Sequence, residues 1–218
     1  MSFDTSSLLA LATIAATITF MVADSRASKR GKWIFKPLAS ALFVATGFAA
    51  GACDSSPGRW IAVGLVLGAI GDVLLIPDNK KTFLLGLGIF LLGHVAYVVS
   101  FLVMGADGGS TAMALLPLAF VAAIVWRWLK AHVEAKLRVP VLAYMVVITG
   151  MVALSFGAWR AGASWRWFAA AVSFYLSDLS VARDRFVSHG FVNRAWGLPL
   201  YYGAQLAFAL TAGLLVAG

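Results

Sequence analysis

Apolar runs close to the length of a bilayer recur along the whole of this 218-residue chain. Crossing the hydrocarbon core takes roughly 20 apolar residues in helical form. Inside it every backbone N–H and C=O must be satisfied within the spanning structure, which a helix achieves and an open sheet does not. Connections between the runs are short, so the expected fold is all-α: a polytopic membrane protein forming one membrane-embedded domain over residues 1–218. Composition agrees, since 61% of residues are hydrophobic and only 12% charged, too little polar surface to cover a water-soluble globule. Eight spans are expected, at about 7–24, 34–52, 60–77, 83–104, 111–129, 139–158, 165–183 and 197–217. The seventh is expected to emerge where Asp178, Arg183, Asp184 and Arg185 crowd together, and the eighth to start after the polar stretch 187–194.

Charge fixes the expected orientation. Asp4 precedes the first run while Arg26, Lys29, Arg30 and Lys32 follow it, the pattern of an uncleaved first span with its N-terminus outside. The loops and span ends after spans one, three, five and seven hold these four together with Lys36, Lys80, Lys81, Arg127, Lys130, Lys136, Arg138, Arg183, Arg185 and Arg194, which is 14 of the 17 basic residues. Only Arg59, Arg160 and Arg166 fall on the other side. The positive-inside rule therefore places both termini outside and those four loops in the cytoplasm. The net charge of +8 is then a matter of topology and anionic head groups, and no nucleic-acid partner is expected. The single Cys53 excludes an internal disulfide, and no Cys/His spacing suits zinc.

Within the membrane, Gly47/Gly51 and Gly64/Gly68 form small-xxx-small pairs that would let helices approach closely, within one chain or between two. The tryptophans, Trp33, Trp60, Trp126, Trp128, Trp159, Trp165, Trp167 and Trp196, all fall near span ends, as an interfacial belt expects. Gly71-Asp72 followed by Asp78 echoes Ser177-Asp178 followed by Asp184, and Lys36-Pro37 echoes Arg138-Val139-Pro140. Spans 1–4 and 5–8 read as parallel repeats on this pattern, with coincidence as the alternative.

A carboxylate in hydrocarbon costs about 2.5–3.5 kcal/mol or more, so an intramembrane Asp is a functional candidate by default. Asp72 and Asp178 are the two clear cases, each about five residues, or roughly 7–8 Å, from the expected cytoplasmic end of its span. Lys36, Tyr201, Tyr202 and Gln205 fall in the same half of the bilayer, with His94 and Tyr97 nearer the middle. A polar cavity open to the inner leaflet follows. The bland alternative makes the aspartates packing residues, one paired with Lys36 and the other with Gln205 or a tyrosine. On that alternative His94 and the tyrosines Tyr97, Tyr175, Tyr201 and Tyr202 are satisfied core groups. Asp78 and Asp184 read as solvated helix-end charges beside Lys80, Lys81, Arg183 and Arg185.

No G-x-S-x-G, H-E-x-x-H or P-loop motif is present, and no lysine lies deep enough in a span for a retinal Schiff base. A metal on Asp72, Asp178 and His94 stays open, although hard cations gather more oxygens. Two neighbouring carboxyls cannot both ionise cheaply, so one can act as acid while the other acts as base. Such a pair suits hydrolysis through an oxocarbenium-like state, as in glycoside cleavage. In a bilayer the substrate would be lipid-like. The same pair would also suit a small transporter or proton-coupled carrier, or a lipid-binding protein in which the aspartates serve folding alone.

The segments Gly71-Asp72-Val73-Leu74-Leu75, Gly93-His94-Val95-Ala96-Tyr97, Ser177-Asp178 and Tyr201-Tyr202-Gly203-Ala204-Gln205, with Lys36-Pro37-Leu38, resemble the YhhN-like lysoplasmalogenase family in order and span position over nearly the whole chain. One departure is Ser177-Asp178-Leu179-Ser180, where a more apolar continuation is expected. The resemblance implies a multi-pass enzyme of the cell inner membrane. It would cleave the vinyl ether of lysoplasmalogen to a fatty aldehyde and glycerophospho-ethanolamine or -choline, with no metal or organic cofactor. Asp72 and Asp178 are implied as catalytic, and Lys36, His94, Tyr97, Tyr201 and Gln205 as substrate-binding or supporting residues. Ser177 beside Asp178 favours Asp178 as the ionised member, and Lys36 with the loop arginines is a candidate for holding the substrate phosphate.

Overall fold

The structure is a computed structural model, described here for residues 4–213. It is built from eight long helices: α1 (Thr5–Ser25), α2 (Lys29–Ala49), α3 (Ser56–Leu74), α4 (Lys80–Val103), α5 (Gly108–Leu129), α6 (Arg138–Arg160), α7 (Trp165–Ala182) and α8 (Phe191–Thr211). A short 3-10 turn, Ala135–Leu137, leads into α6, and a π-helical turn, Arg183–Val187, extends α7; no strand occurs among the described residues. The end of the expected eighth span, residues 214–217, lies outside the described residues.

Six helices open on a side-chain cap that supplies an acceptor for a first-turn N–H. These caps are Asp4, Ser28, Ser55, Asn79, Asp107 and Ser164. Caps explain where the helices outrun the apolar runs. Ser28 accepts from Gly31 N, so α2 starts five residues before the expected span and Lys36 sits two turns inside the helix instead of at its opening. Likewise Phe191–Arg194, expected as part of a polar connection, is the first turn of α8. Hydroxyls inside the helices bond back to carbonyls four residues earlier, as Thr13 does to Leu9, Thr17 to Thr13 and Thr149 to Met145, so none is left bare where water is absent.

Five segments are long and apolar enough to cross a membrane: Thr5–Ser25, Ser56–Leu74, Lys80–Val103, Gly108–Leu129 and Ala135–Arg160. Helices α2, α7 and α8 hold more polar side chains, among them Lys36, Asp178 and Arg194. Neighbours in sequence pack together, α1 on α2, α3 on α4, α5 on α6 and α7 on α8. The bundle is then tied by α8, which touches α1, α2 and α3, and by α4 against α6. Helix α5 stays peripheral: Leu116 and Phe120 are 77% and 69% exposed, the apolar outer surface expected of a helix facing lipid.

Aromatic rings fill the centre. Tyr97 stacks on Phe208 with ring centroids 4.3 Å apart, and Phe174 sits edge-on to Tyr201 at 5.3 Å. Trp167 belongs to this core, fully buried against Phe101 and Phe208, so it is no part of an interfacial belt. The Gly47/Gly51 pair also dissolves, because Gly51 lies beyond α2 with φ +88°, a conformation that favours glycine.

Candidate functional site

A cavity of about 330 Å³ opens at one end of the bundle. It is lined by the C-terminal ends of α1, α3, α5 and α7 and the N-terminal ends of α2, α4, α6 and α8, the ends that carry the 14 clustered basic residues. Both Asp72 and Asp178 reach it, as do Lys36 and Tyr201; His94, Tyr97 and Gln205 stand behind the lining.

Helix α3 makes room for the site by what it lacks. A Cβ on Gly64 would lie 2.3 Å from the Tyr97 ring, one on Gly68 2.3 Å from Gln205 Nε2, and one on Gly71 2.7 Å from the Phe90 ring. The Gly64/Gly68 pair therefore admits site side chains rather than only bringing backbones together. Asp72 follows in the last turn of α3, closer to the helix end than expected, with 2% of its surface exposed.

Donors surround Asp72. Tyr201 Oη donates to its Oδ2 at 2.8 Å and Lys36 Nζ lies 3.3 Å from Oδ1. Ser40 Oγ is 2.7 Å from Oδ2 and 3.0 Å from the Lys36 carbonyl, so its single proton goes to the nearer, charged acceptor. Behind Tyr201 runs a chain of one sense. Tyr97 Oη donates to Gln205 Oε1 at 2.6 Å, Gln205 Nε2 donates to Tyr201 Oη at 3.1 Å, and Tyr201 Oη in turn donates to Asp72. Tyr201 and Gln205 are one turn apart on α8, which is why one face of that helix supplies both.

Asp178, on α7, is held differently. Tyr144 Oη on α6 donates to Oδ2 at 2.7 Å, and His94 Nε2 lies 3.6 Å from the same oxygen, too far for a hydrogen bond. His94 Nδ1 is 2.7 Å from the Phe90 carbonyl. A carbonyl only accepts, so Nδ1 carries a proton, and in the neutral ring Nε2 is a bare lone pair. That Nε2 is the one buried side-chain polar atom without a partner among the described residues, and it faces a carboxylate. His94 thus presents a lone pair toward the Asp178 carboxyl across 3.6 Å, a gap that a proton carried by either group would face. Edge-on contacts with Phe174 at 4.6 Å and Tyr144 at 5.2 Å fix the imidazole.

Along the cavity wall a second charged cluster joins α1, α2, α8 and the π-helical turn. Asp24, on α1, is 5% exposed and meets Lys32 Nζ at 2.5 Å and Arg194 Nε at 2.6 Å. Arg194 Nη1 reaches Asp184 Oδ2 at 3.0 Å, while Asp184 Oδ1 accepts from Gly190 N and Asn193 Nδ2. Asp184 is thus a structural hub and no merely solvated charge. Asp78 does fit that description, being highly exposed and 3.3 Å from Arg185. Among the described residues no three His, Cys, Asp or Glu side chains are grouped to hold a metal ion.

The model of the YhhN family matches residues 31–212. The chain belongs to the YhhN family. Its relatives include the bovine protein (Bos taurus) named lysoplasmalogenase TMEM86A, 31% identical over 164 residues, covering 70% of this chain and 64% of the relative. The human (Homo sapiens) lysoplasmalogenase TMEM86A is 33% identical over 167 residues, with the same coverage, 70% and 64%. A lysoplasmalogenase of Mycobacterium tuberculosis (strain CDC 1551 / Oshkosh) is 31% identical over 163 residues, 71% of this chain and 60% of the relative. The chain thus spans somewhat less than two thirds of the length of these curated relatives. No solved structure matches it.

In this YhhN chain the fold brings together every site residue expected from sequence, in two groups: Lys36, Tyr97, Tyr201 and Gln205 around Asp72, and His94 beside Asp178. Tyr144, Ser40 and Asp24 were missed, whereas Arg194 was expected among the loop arginines. Asp24 did leave a signal, an acid closing an apolar run ahead of four cations.

Proposed function

We propose that this chain is a multi-pass lysoplasmalogenase that hydrolyses the vinyl ether of a lysophospholipid, with Asp72 and Asp178 as its catalytic carboxylates. In this reading all eight helices cross the membrane as one domain, both termini lie outside, and the cavity opens toward the cytoplasm of the inner membrane. The clustering of 14 of 17 basic residues at the cavity end supports that orientation. A parallel 4+4 arrangement is supported by matching provision: each carboxylate receives a hydroxyl from the preceding helix, Ser40 for Asp72 and Tyr144 for Asp178.

The observation that carries the reading is two differently held carboxylates on one largely apolar cavity. Asp72 accepts from Tyr201 and Ser40 and faces the Lys36 ammonium, so it serves as the ionised member. Asp178 and His94 share the mobile proton. This reverses the roles favoured by the Ser177 neighbour, whose hydroxyl donates to the Phe174 carbonyl instead of to Asp178. Protonation of the vinyl carbon distal to the ether oxygen, from the Asp178–His94 pair, makes the adjacent carbon an oxocarbenium ion. Asp72 stabilises that cation. Water attacks it, returning a proton to the pair, and the hemiacetal collapses to fatty aldehyde and a glycerophospho-alcohol. Tyr97 and Gln205 keep Tyr201, and hence Asp72, in place.

A test that separates this from carriage is turnover in detergent. Aldehyde release by micellar protein with no membrane gradient is expected. Uptake of lysolipid into sealed vesicles, with no aldehyde in detergent, would instead identify a carrier.

A further inference from the structure

We propose that Lys32 and Arg194, held by Asp24, form a binding site for the phosphodiester of the lysolipid head group. The ligand's identity rests on the hydrolase reading above; the site itself rests on geometry. Asp24 is a nearly buried carboxylate with two cations on it at 2.5 and 2.6 Å, and both cations reach the wall of the cavity that holds Asp72 and Asp178. Each has donors to spare. The ammonium of Lys32 offers three N–H groups and meets one carboxylate oxygen. Arg194 uses Nε on Asp24 and Nη1 on Asp184, and its Nη2 makes no hydrogen bond among the described residues. Their side chains are about one third exposed, 31% and 27%, against 2% for Asp24. Asp24 is thus a positioning residue that fixes two half-open cations side by side, the arrangement that phosphate oxygens bind.

Lys36, the other lysine of the cavity, is unsuited to the task because it lies against Asp72. Spacing supports the division of labour. Lys32 is one turn from Lys36 on α2, about 6 Å along the axis. Six bonds separate the reacting vinyl carbon of a lysoplasmalogen from its phosphorus, about 7 Å at the extended-chain reach of ~3.5 Å per three bonds. A phosphodiester on Lys32 and Arg194 therefore sets the vinyl ether at the depth of Asp72. The alkenyl chain then runs past Phe90 and Ile148 among the apolar lining.

Equilibrium binding in detergent of a 1-alkyl lysophosphatidylethanolamine, which has no vinyl ether to cleave, is compared with binding of the matching 1-alkylglycerol, which has no phosphate. The wild type is expected to prefer the phospholipid by about ten- to a hundredfold, the scale of one or two charge-assisted hydrogen bonds. Lys32→Gln and Arg194→Gln should each cut that preference about tenfold and leave alkylglycerol affinity unchanged. Lys32→Gln keeps the Asp24–Arg194 contact, so it stays informative if Arg194→Gln fails to fold. Retention of the wild-type preference in Lys32→Gln, or equal loss of affinity for both lipids, would overturn the site. Inorganic phosphate binding as tightly as the lysolipid, and abolished by the same substitutions, would assign the pair to free phosphate and overturn the lipid reading. Aldehyde release is no part of this readout, so a wild type that shows the preference but cleaves nothing sinks the hydrolase and leaves the site standing.

Discussion

Removing the hydroxyl of Tyr201 separates the hydrogen-bond chain from mere aromatic packing. Tyr201→Phe deletes the donor to Asp72 Oδ2 at 2.8 Å and the acceptor for Gln205 Nε2 at 3.1 Å, leaving that amide hydrogen buried and unmatched. Loss of one oxygen opens almost no cavity, so the ring contacts with Phe43, Phe90 and Phe174 persist. In water-soluble proteins a bond to a charged acceptor contributes about 1.5–3 kcal/mol and a neutral one about 1 kcal/mol. Within membranes, interhelical bonds average nearer 0.6 kcal/mol because the unfolded state also finds partners. A loss of about 1–3 kcal/mol is expected in reversible unfolding in mixed micelles. Aldehyde release should fall about tenfold, the rate equivalent of 1.4 kcal/mol, because Lys36 and Ser40 still hold Asp72. The neighbouring Tyr202→Phe is the control: its hydroxyl has only a 3.4 Å contact with Ser40 Oγ, and a loss under about 0.5 kcal/mol is expected. Equal effects of the two substitutions would refute the relay.

Gly64→Ala should destabilise by about 1–3 kcal/mol through the Tyr97 ring, which Phe208 and Phe174 hold in place, whereas Gly88→Ala, with nothing within 4 Å of the new Cβ, should be neutral or slightly stabilising in the same unfolding assay. His94→Phe keeps an aromatic ring against Phe174 but removes the partner in proton transfer, so aldehyde release should drop by about 10²–10⁴ while alkyl-lysolipid binding holds. At the surface, the hydrogen bond from Lys80 and its charge hold the Glu134 carboxyl below its usual range. A carboxyl lowered on folding adds stability above its unfolded value and loses it as pH falls through the folded one. Thermal unfolding of Lys80→Ala should therefore match the wild type in acid and lie slightly below it at neutral pH.

Residue type alone exposed much of the site, because ions and polar groups within apolar runs stand out against their surroundings. Asp72, Asp178, Lys36, His94 and Gln205 were visible on those grounds. Their partners were not. Tyr144 sits in an apolar run where a tyrosine signals nothing, and its role arises only because α6 lies against α7. Asp24 and Arg194 are 170 positions apart and meet because α8 closes on α1, a packing that hydropathy does not encode. The start of α2 was hidden for a related reason: hydropathy marks where a chain crosses hydrocarbon, whereas capping by Ser28 marks where the helix begins, one to two turns outside. Trp167 shows the same limit, since its place near a span end left its burial against Phe208 unseen.

The central claim is that Asp72 and Asp178 together perform hydrolysis, and the direct measurement is aldehyde release from a vinyl-ether lysophospholipid by purified wild type, Asp72→Asn and Asp178→Asn in detergent, each shown to be folded by its unfolding transition. Release by the wild type, with both variants reduced by at least a thousandfold, is expected. Undiminished release from either folded variant would contradict the claim.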